Sequence, residues 1–148
     1  MHKPYYLQAG IIIGEEINHK NHFLLIKGGK IDEISSKANK DYEIIDLTHA
    51  TILPGLIDLH IHGREGCDVM DGDINSIKTI SRSLAKHGIT GFLATTVTSS
   101  WQETLTALGI IGIASNDKMP GAAVLGGYSE GLFFTKDHKG AHDEQYFL

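Results

Sequence analysis

The sequence predicts an α/β protein in which a small β-sheet precedes the beginning of a (β/α) barrel. Residues 1–53 contain β-branched and aromatic runs separated by glycines, which is typical of short strands. From residue 54 onward strand-like and helix-like segments alternate, and this alternation favours right-handed βαβ units with a parallel sheet. A complete barrel takes roughly 250 residues. We therefore expect residues 54–148 to form the first three βα units of an incomplete barrel, with sheet edges and apolar faces left uncovered.

Composition indicates an ordinary globular protein. The 148 residues are 41% hydrophobic and 21% charged, with a net charge of −5, which argues against a nucleic-acid partner. The single cysteine, Cys67, excludes an internal disulfide and suits a reducing compartment. No uncharged apolar run approaches the roughly 20 residues that span a bilayer. We expect a cytoplasmic protein with no membrane partner.

Local patterns predict the individual elements. In the first region, residues 22–27 and 30–34 flank Gly28-Gly29, the signature of a β-hairpin. In the second region, Asp73 or Asn75 is the expected N-cap of a helix that Gly88 ends. Its apolar face is expected to carry Ile74, Ile77, Ile80 and Leu84.

Two further strands and a second helix follow. Residues 89–98 are rich in β-branched side chains, and Ser100-Trp101-Gln102-Glu103 is a capping-box pattern that opens a helix to about residue 115. Residues 122–129 predict a third apolar strand. A helix is expected to follow residues 143–147.

Two histidines close the first barrel strand. Side chains alternate along a strand, so Asp58, His60 and His62 share one face, and two imidazoles at i and i+2 can reach one metal ion. The chain has nine histidines, so His-x-His by itself leaves a chance pair as an open alternative. Catalytic groups of α/β barrels cluster at the C-terminal ends of strands, which favours the metal interpretation.

Glu130 ends the third strand as the histidines end the first. In a barrel these ends converge, so a carboxylate and two imidazoles can hold a divalent metal. The alternative is a solvated carboxylate, which is the usual place of Glu. The polar loop 131–142 follows a barrel strand, as substrate-binding loops do. The lysines of this loop are suited to binding a phosphate group, and the alternative is that they are simply solvated.

Several runs together resemble one family. Pro54-Gly-Leu-Ile-Asp-x-His-x-His-Gly63 is similar to the first barrel strand of the amidohydrolase superfamily, metal-dependent hydrolases with a β-sandwich beside a (β/α)₈ barrel. Narrower matches, in the same order, resemble N-acetylglucosamine-6-phosphate deacetylases and their N-acetylgalactosamine-6-phosphate relatives. These matches are Gly63-x-x-Gly66-x-Asp68-Val69-Met70-Asp71, Thr95-Thr96-Val97-Thr98, Val124 to Gly131, and Lys139-Gly140-Ala141-His142.

The resemblance implies residue roles. Glu130 matches the family's glutamate metal ligand, and His60 and His62 match a histidine pair that binds metal in members that keep it. The metal is expected to be zinc, with iron, manganese or cobalt as alternatives. His142, with Gly140 and Ala141, matches a substrate-binding loop. The implied reaction is hydrolysis of the N-acetyl group of an amino-sugar 6-phosphate, and a homodimer is implied for a full-length form.

Two departures from the family pattern stand beside Glu130. Ser129 replaces a bulky apolar residue, and Leu132 replaces a proline, which removes a rigid turn and is expected to loosen the carboxylate. The family's aspartate general base and other ligands are expected beyond residue 148, so no catalytic residue is assigned in this chain, and the chain alone is expected to be inactive.

Three interpretations remain open. The chain is part of a deacetylase, an inactive truncated remnant, or another amidohydrolase such as a dihydroorotase-like enzyme. Dihydroorotase-like enzymes use lysine at the position of Glu130, which argues against the third interpretation.

Overall fold

The computed structural model describes residues 3–15 and 17–148, which divide into two compact units, one up to Pro54 and one from Gly55 to Leu148. The first unit is a four-stranded sheet. Its strands are β1 (Tyr5–Ile13), β2 (Asn18–Lys27), β3 (Lys30–Ser35) and β4 (Glu43–Ile52). Their order is β3-β2-β1-β4, with β1–β2 and β2–β3 antiparallel and β1–β4 parallel. Ala9, Ile12 and Leu24 form its buried core.

The predicted hairpin joins β2 to β3. Gly28 and Gly29 have φ of +60° and +77°, the positive values that a tight hairpin turn of the I′ type requires. Lys27 and Lys30 pair on either side of the turn. The hairpin prediction is therefore confirmed, and its cause is local backbone freedom at two glycines.

The second unit alternates strands and helices. Its main elements are β5 (Leu56–Ile61), β6 (Gly63–Arg64), β7 (Cys67–Asp68), α1 (Ile74–Ala85), β8 (Ile89–Thr95), α2 (Trp101–Ser115) and β9 (Ala123–Tyr128). The order β5-β8-β9 is parallel throughout, and β6 and β7 form a separate small hairpin. The predicted βαβ repeat is confirmed. Within residues 143–147 there is a single 3₁₀ turn, Glu144–Tyr146, and the helix expected to follow this segment stays a prediction.

Caps set where the two helices begin. Asp73 is the N-cap of α1, and its side chain accepts from the backbone N–H of Asn75. Ser100 and Glu103 form the predicted capping box of α2. Each such cap contributes roughly 0.5–2 kcal/mol by satisfying N–H groups that have no partner within the helix.

One core joins these helices to the parallel sheet. On α1, Ile77, Ile80 and Leu84 recur at helical spacing and are at most 1% exposed, and they pack with Phe92 of β8 and Ile111 of α2. Burying each such side chain contributes about 1.5–3 kcal/mol. This packing holds the three strand ends together.

Large apolar side chains of the sheet are also exposed. Ile57 and Leu59 of β5 are 57% and 64% exposed, and Leu125 of β9 is 53% exposed. Of the helices in residues 3–15 and 17–148, none combines the length and apolar character that crossing a membrane requires.

Candidate metal centre

The three side chains predicted to bind a metal lie close together, although they come from the ends of two different strands. His60 lies in β5, His62 directly follows it, and Glu130 comes two residues after β9. Glu130 Oε2 lies 2.9 Å from His60 Nε2 and 3.1 Å from His62 Nε2. The two Nε2 atoms are 3.2 Å apart. Among the described residues, this is the group of histidine, cysteine and acidic side chains that could hold a metal ion.

These separations fit a shared cation. Zinc bonds of about 2.0–2.2 Å to nitrogen and oxygen, at angles between octahedral and tetrahedral, place neighbouring ligand atoms about 2.8–3.6 Å apart. The three observed separations, 2.9, 3.1 and 3.2 Å, lie in that range. The donor set of two imidazoles and one carboxylate also suits a borderline-soft divalent ion.

The protonation of His62 supports the same interpretation. Its Nδ1 lies 3.2 Å from the backbone carbonyl oxygen of Thr95, which can only accept, so we assign a proton to Nδ1. In neutral His62, Nε2 then presents a lone pair to the Glu130 carboxylate at 3.1 Å. Two acceptors at this distance repel each other unless a cation or a proton lies between them. Such outer-shell contacts are how metal-binding histidines are usually oriented.

His60 is held differently. Its backbone N–H donates to Asp58 Oδ1 over 3.1 Å, and its ring lies 5.2 Å from that of Tyr128. The side chains of His60 and His62 are 47% and 38% exposed, whereas that of Glu130 is 22% exposed. The ligand candidates are therefore open to solvent on the histidine side and can be reached by a small molecule.

His142 reaches the second oxygen of the same carboxylate. Its Nε2 lies 3.3 Å from Glu130 Oε1, and its Nδ1 lies 2.7 Å from Thr98 Oγ1. Since a carboxylate accepts, we assign the Nε2 proton to this contact, and the Thr98 hydroxyl then donates to Nδ1. The ring also packs on Phe134, with centroids 4.6 Å apart.

The predicted substrate loop borders a cavity beside Glu130. Ala141 and His142 line a cavity of about 340 Å³ together with His62 and Glu130. Gly140 precedes them in a turn with φ of +56° and is not among its lining residues. On the other side of Glu130, Tyr128, Phe133 and Phe134 contribute to a larger cavity of about 460 Å³.

The departure at Leu132 has a structural counterpart. Leu132 has φ of +69° and is 2% exposed, and its carbonyl accepts from the backbone N–H of Leu148 over 2.6 Å. Proline cannot adopt this positive φ. The turn is therefore held by the burial of Leu132 and by a backbone hydrogen bond. These take the place of the proline ring found in the family.

Sequence reasoning assigned no role to three threonines that touch this site. Thr95 and Thr96 end the buried run of β8, and Thr98 follows. Their hydroxyls contact the backbone of Ile61, the backbone of Glu130 and the ring of His142. A Thr-Thr-x-Thr pattern at the end of an apolar strand is the signal that could have indicated them.

Comparisons with known proteins identify the relatives. The chain is 42% identical over 122 residues to an N-acetylglucosamine-6-phosphate deacetylase of Vibrio furnissii, a match that covers 82% of this chain and 31% of that protein. It is 34% identical over 145 residues to an N-acetylgalactosamine-6-phosphate deacetylase of Escherichia coli O157:H7, covering 95% and 37%. No family model matches the chain.

A solved structure shows the same fold. An N-acetylglucosamine-6-phosphate deacetylase of Pasteurella multocida superposes with a TM-score of 0.89 at 23% identity, covering 99% of this chain and 39% of that one. The predicted resemblance and the barrel fold class are confirmed. The chain spans about a third of the length of the curated relatives that it matches.

Proposed function

We propose that this chain, a homologue of the N-terminal third of the amino-sugar-phosphate deacetylases, carries the metal-binding part of such an enzyme's active site. The proposed reaction removes the N-acetyl group of an N-acetyl amino-sugar 6-phosphate and releases acetate. In this proposal, residues 1–53 are part of a β-sandwich and residues 54–148 are the first three βα units of the barrel. His60, His62 and Glu130 are the proposed metal ligands.

The observation that carries the proposal is the contact between His62 and Glu130. Nε2 of His62 and Oε2 of Glu130 lie 3.1 Å apart, and Nδ1 on the other side of the ring faces the carbonyl oxygen of Thr95 at 3.2 Å. When His62 is neutral with its proton on Nδ1, a cation between Nε2 and Oε2 removes the repulsion of these two acceptors, and this is the state that we propose. We propose Zn²⁺ first, since two imidazoles and a carboxylate are a common catalytic zinc set, with iron, manganese or cobalt binding the same donors.

A bound divalent ion would polarise the amide carbonyl and acidify a bound water. The residues of this chain prepare that chemistry. His62 keeps its Nε2 free because Nδ1 donates to Thr95, and Glu130 contributes the negative charge that balances a divalent ion. His142 donates its Nε2–H to Glu130 Oε1, which leaves Oε2 for the ion, and its ring borders the cavity in which the substrate is proposed to bind.

The proposed substrate surface flanks the carboxylate. Ala141 and His142 border the cavity next to His62, and Gly140 is proposed to contribute backbone atoms through its loop. Tyr128 and Phe133 provide an apolar wall on the other side, suited to the C–H face of a sugar ring. The cytoplasmic location and the homodimer of a full-length form stay predictions.

A zinc titration tests the proposed centre. The metal-free chain is titrated with Zn²⁺ in competition with a chromophoric chelator, alongside His60→Ala and His87→Ala. His87 is exposed and lies two residues after α1 and two residues before β8, so it lies at the opposite edge of the sheet from the site. We expect saturable binding that His60→Ala weakens more than about 100-fold, since even an outer-shell loss weakens binding about 10–100-fold. His87→Ala should bind as the unchanged chain does.

An activity assay measures whether this chain catalyses either of the two candidate reactions. Acetate release is measured from N-acetylglucosamine 6-phosphate and from N-acetylgalactosamine 6-phosphate, with dihydroorotate ring opening as the competing reaction. Zinc binding without acetate release is the expected result for this chain, because the general base is expected beyond residue 148, and this result fits both a part of a deacetylase and a metal-binding remnant. Absent or unsaturable zinc binding, or equal binding by His60→Ala, contradicts the proposed centre.

A further inference from the structure

Two buried threonines lie between the strands that carry the proposed ligands. Thr95 and Thr96 are both 0% exposed and stand at the C-terminal end of β8, the middle strand of the β5-β8-β9 sheet. Thr95 contacts the β5 side and Thr96 contacts the β9 side. Buried hydroxyls are nearly always hydrogen-bonded, so their partners indicate what these side chains hold.

The Thr95 hydroxyl bonds the backbone between the two histidines. The pairing of β5 with β8 shifts register between Asp58 and Ile61, which interrupts the regular ladder. At this point the Ile61 N–H donates to Thr95 Oγ1 over 3.1 Å, and the hydroxyl donates to the carbonyl of Leu93 over 3.2 Å. Ile61 lies between His60 and His62, so this bond fixes the segment from which both imidazoles project.

The Thr96 hydroxyl binds the backbone that follows β9, on the opposite side of β8. Strand β9 ends at Tyr128, whose carbonyl accepts from the backbone N–H of Thr96 over 3.0 Å. Two residues later, the N–H of Glu130 donates to Thr96 Oγ1 over 3.2 Å. A side-chain bond thus continues the ladder to the residue that supplies the carboxylate.

We infer that Thr95 and Thr96 are positioning residues of the metal centre, whose hydroxyls replace ladder hydrogen bonds where β8 ends. Thr95 holds the segment of the two imidazoles, and Thr96 holds the backbone of Glu130. The two bonds set the separation of ligands that come from strands on opposite sides of β8. This inference rests on the proposed function for the nature of the bound ion.

Valine and serine variants separate the hydroxyl from the packing. Thr95→Val and Thr96→Val keep the shape and remove the hydroxyl, whereas the serine variants keep the hydroxyl. Thr104→Val is the matched control, because Thr104 is 2% exposed and its hydroxyl has no hydrogen-bond partner within the described residues. Two quantities are measured: Zn²⁺ affinity by chelator competition, and amide hydrogen exchange of Ile61 and Glu130 by NMR in the metal-free chain.

We expect both valine variants to bind Zn²⁺ about 10–100-fold more weakly. Exchange should accelerate at Ile61 in Thr95→Val and at Glu130 in Thr96→Val. The serine variants and Thr104→Val should match the unchanged chain in both measurements. If a valine variant does not fold, the alanine variant replaces it, with serine as its reference, since these two differ by the hydroxyl alone.

Unchanged exchange at Ile61 and Glu130, or unchanged zinc affinity in the valine variants, overturns the inference. If the unchanged chain shows no saturable zinc binding, the proposed metal function fails, and the exchange measurement alone decides whether the hydroxyls hold the two segments. The two failures are therefore distinguishable.

Discussion

Replacing Gly131 by alanine should disturb the turn that follows Glu130. Gly131 has φ of +106°, and a Cβ atom there would lie 2.0 Å from Thr98 Oγ1 and 2.7 Å from Thr98 Cα. The second contact is with backbone, so rotation of the Thr98 side chain cannot relieve it. Alanine therefore forces Thr98 away and breaks the hydrogen bond from its hydroxyl to His142 Nδ1.

The expected loss of stability has two parts. A side chain in this region of φ costs about 1–3 kcal/mol of backbone strain. Loss of the Thr98–His142 hydrogen bond costs about 0.5–1.5 kcal/mol. We expect Gly131→Ala to lower the free energy of unfolding of the second unit by about 1.5–4.5 kcal/mol, and to weaken zinc binding because Glu130 is adjacent.

Two other glycines are controls for this substitution. Gly88 has φ of +80°, and a Cβ there would meet no heavy atom within 4 Å, so Gly88→Ala should show only strain of about 1–2 kcal/mol. Gly112 lies in α2 with the same open space, so Gly112→Ala should stabilise the helix by about 0.5–1 kcal/mol. The series separates backbone strain from steric contact.

Urea unfolding followed by far-ultraviolet circular dichroism is the assay. Both α-helices of the described residues lie in the unit Gly55–Leu148, so the helical signal reports that unit. The steric argument is wrong if Gly131→Ala is as stable as Gly88→Ala. It is also wrong if Gly131→Ala retains unchanged zinc affinity together with an unchanged NMR signal of the His142 ring.

Two further predictions concern the neighbouring turn and the loop before α1. Leu132→Pro, which introduces the residue found in the family, should destabilise the second unit by more than about 2 kcal/mol. The reasons are that φ of +69° excludes proline and that a buried side chain is lost. A midpoint of urea unfolding at or above that of the unchanged chain would contradict this. The backbone N–H of Asp68, and then the Ser76 hydroxyl, hold the pKa of Asp71 below its ordinary value. Since the folded pKa is the lower one, Asp71 stabilises the fold above its unfolded pKa of about 3.9 and loses this effect as pH falls through the folded pKa. Asp71→Ala should therefore lower the Tm at neutral pH by an amount that shrinks below about pH 4, and a difference that stays constant with pH would refute this.

Local elements of this chain followed from short-range chemistry. The Ser100–Glu103 capping box and the Asp73 cap begin the two helices as predicted, because a cap is satisfied by backbone N–H groups of its own first turn. The Gly28-Gly29 turn needs only positive φ at two positions. Each of these is decided within about four residues, so the sequence alone is sufficient.

Element ends depended on neighbours in space. The strand predicted over 89–98 ends at Thr95, and beyond it the contacts are made by side chains. The hydroxyls of Thr96 and Thr98 bond to Glu130 and His142, which lie 34 and 44 residues away. The segment after residue 143 forms one 3₁₀ turn, and the N–H of Leu148 is taken up by the carbonyl of Leu132. Sequence patterns do not contain such partners.

In the candidate site, too, some features followed from the sequence and others only from the tertiary structure. Period-two alternation by itself determined that His60 and His62 share a face, and strand-end placement brought Glu130 to the same edge of the sheet. Only the tertiary structure decided that Nε2 of His60 and Oε2 of Glu130, 70 residues apart, lie at 2.9 Å, and that Thr95 directs the proton of His62 away from them. The physical reason is that a spacing along the chain constrains direction, whereas the separation of ligand atoms is set by hydrogen bonds and packing between strands that are distant in sequence.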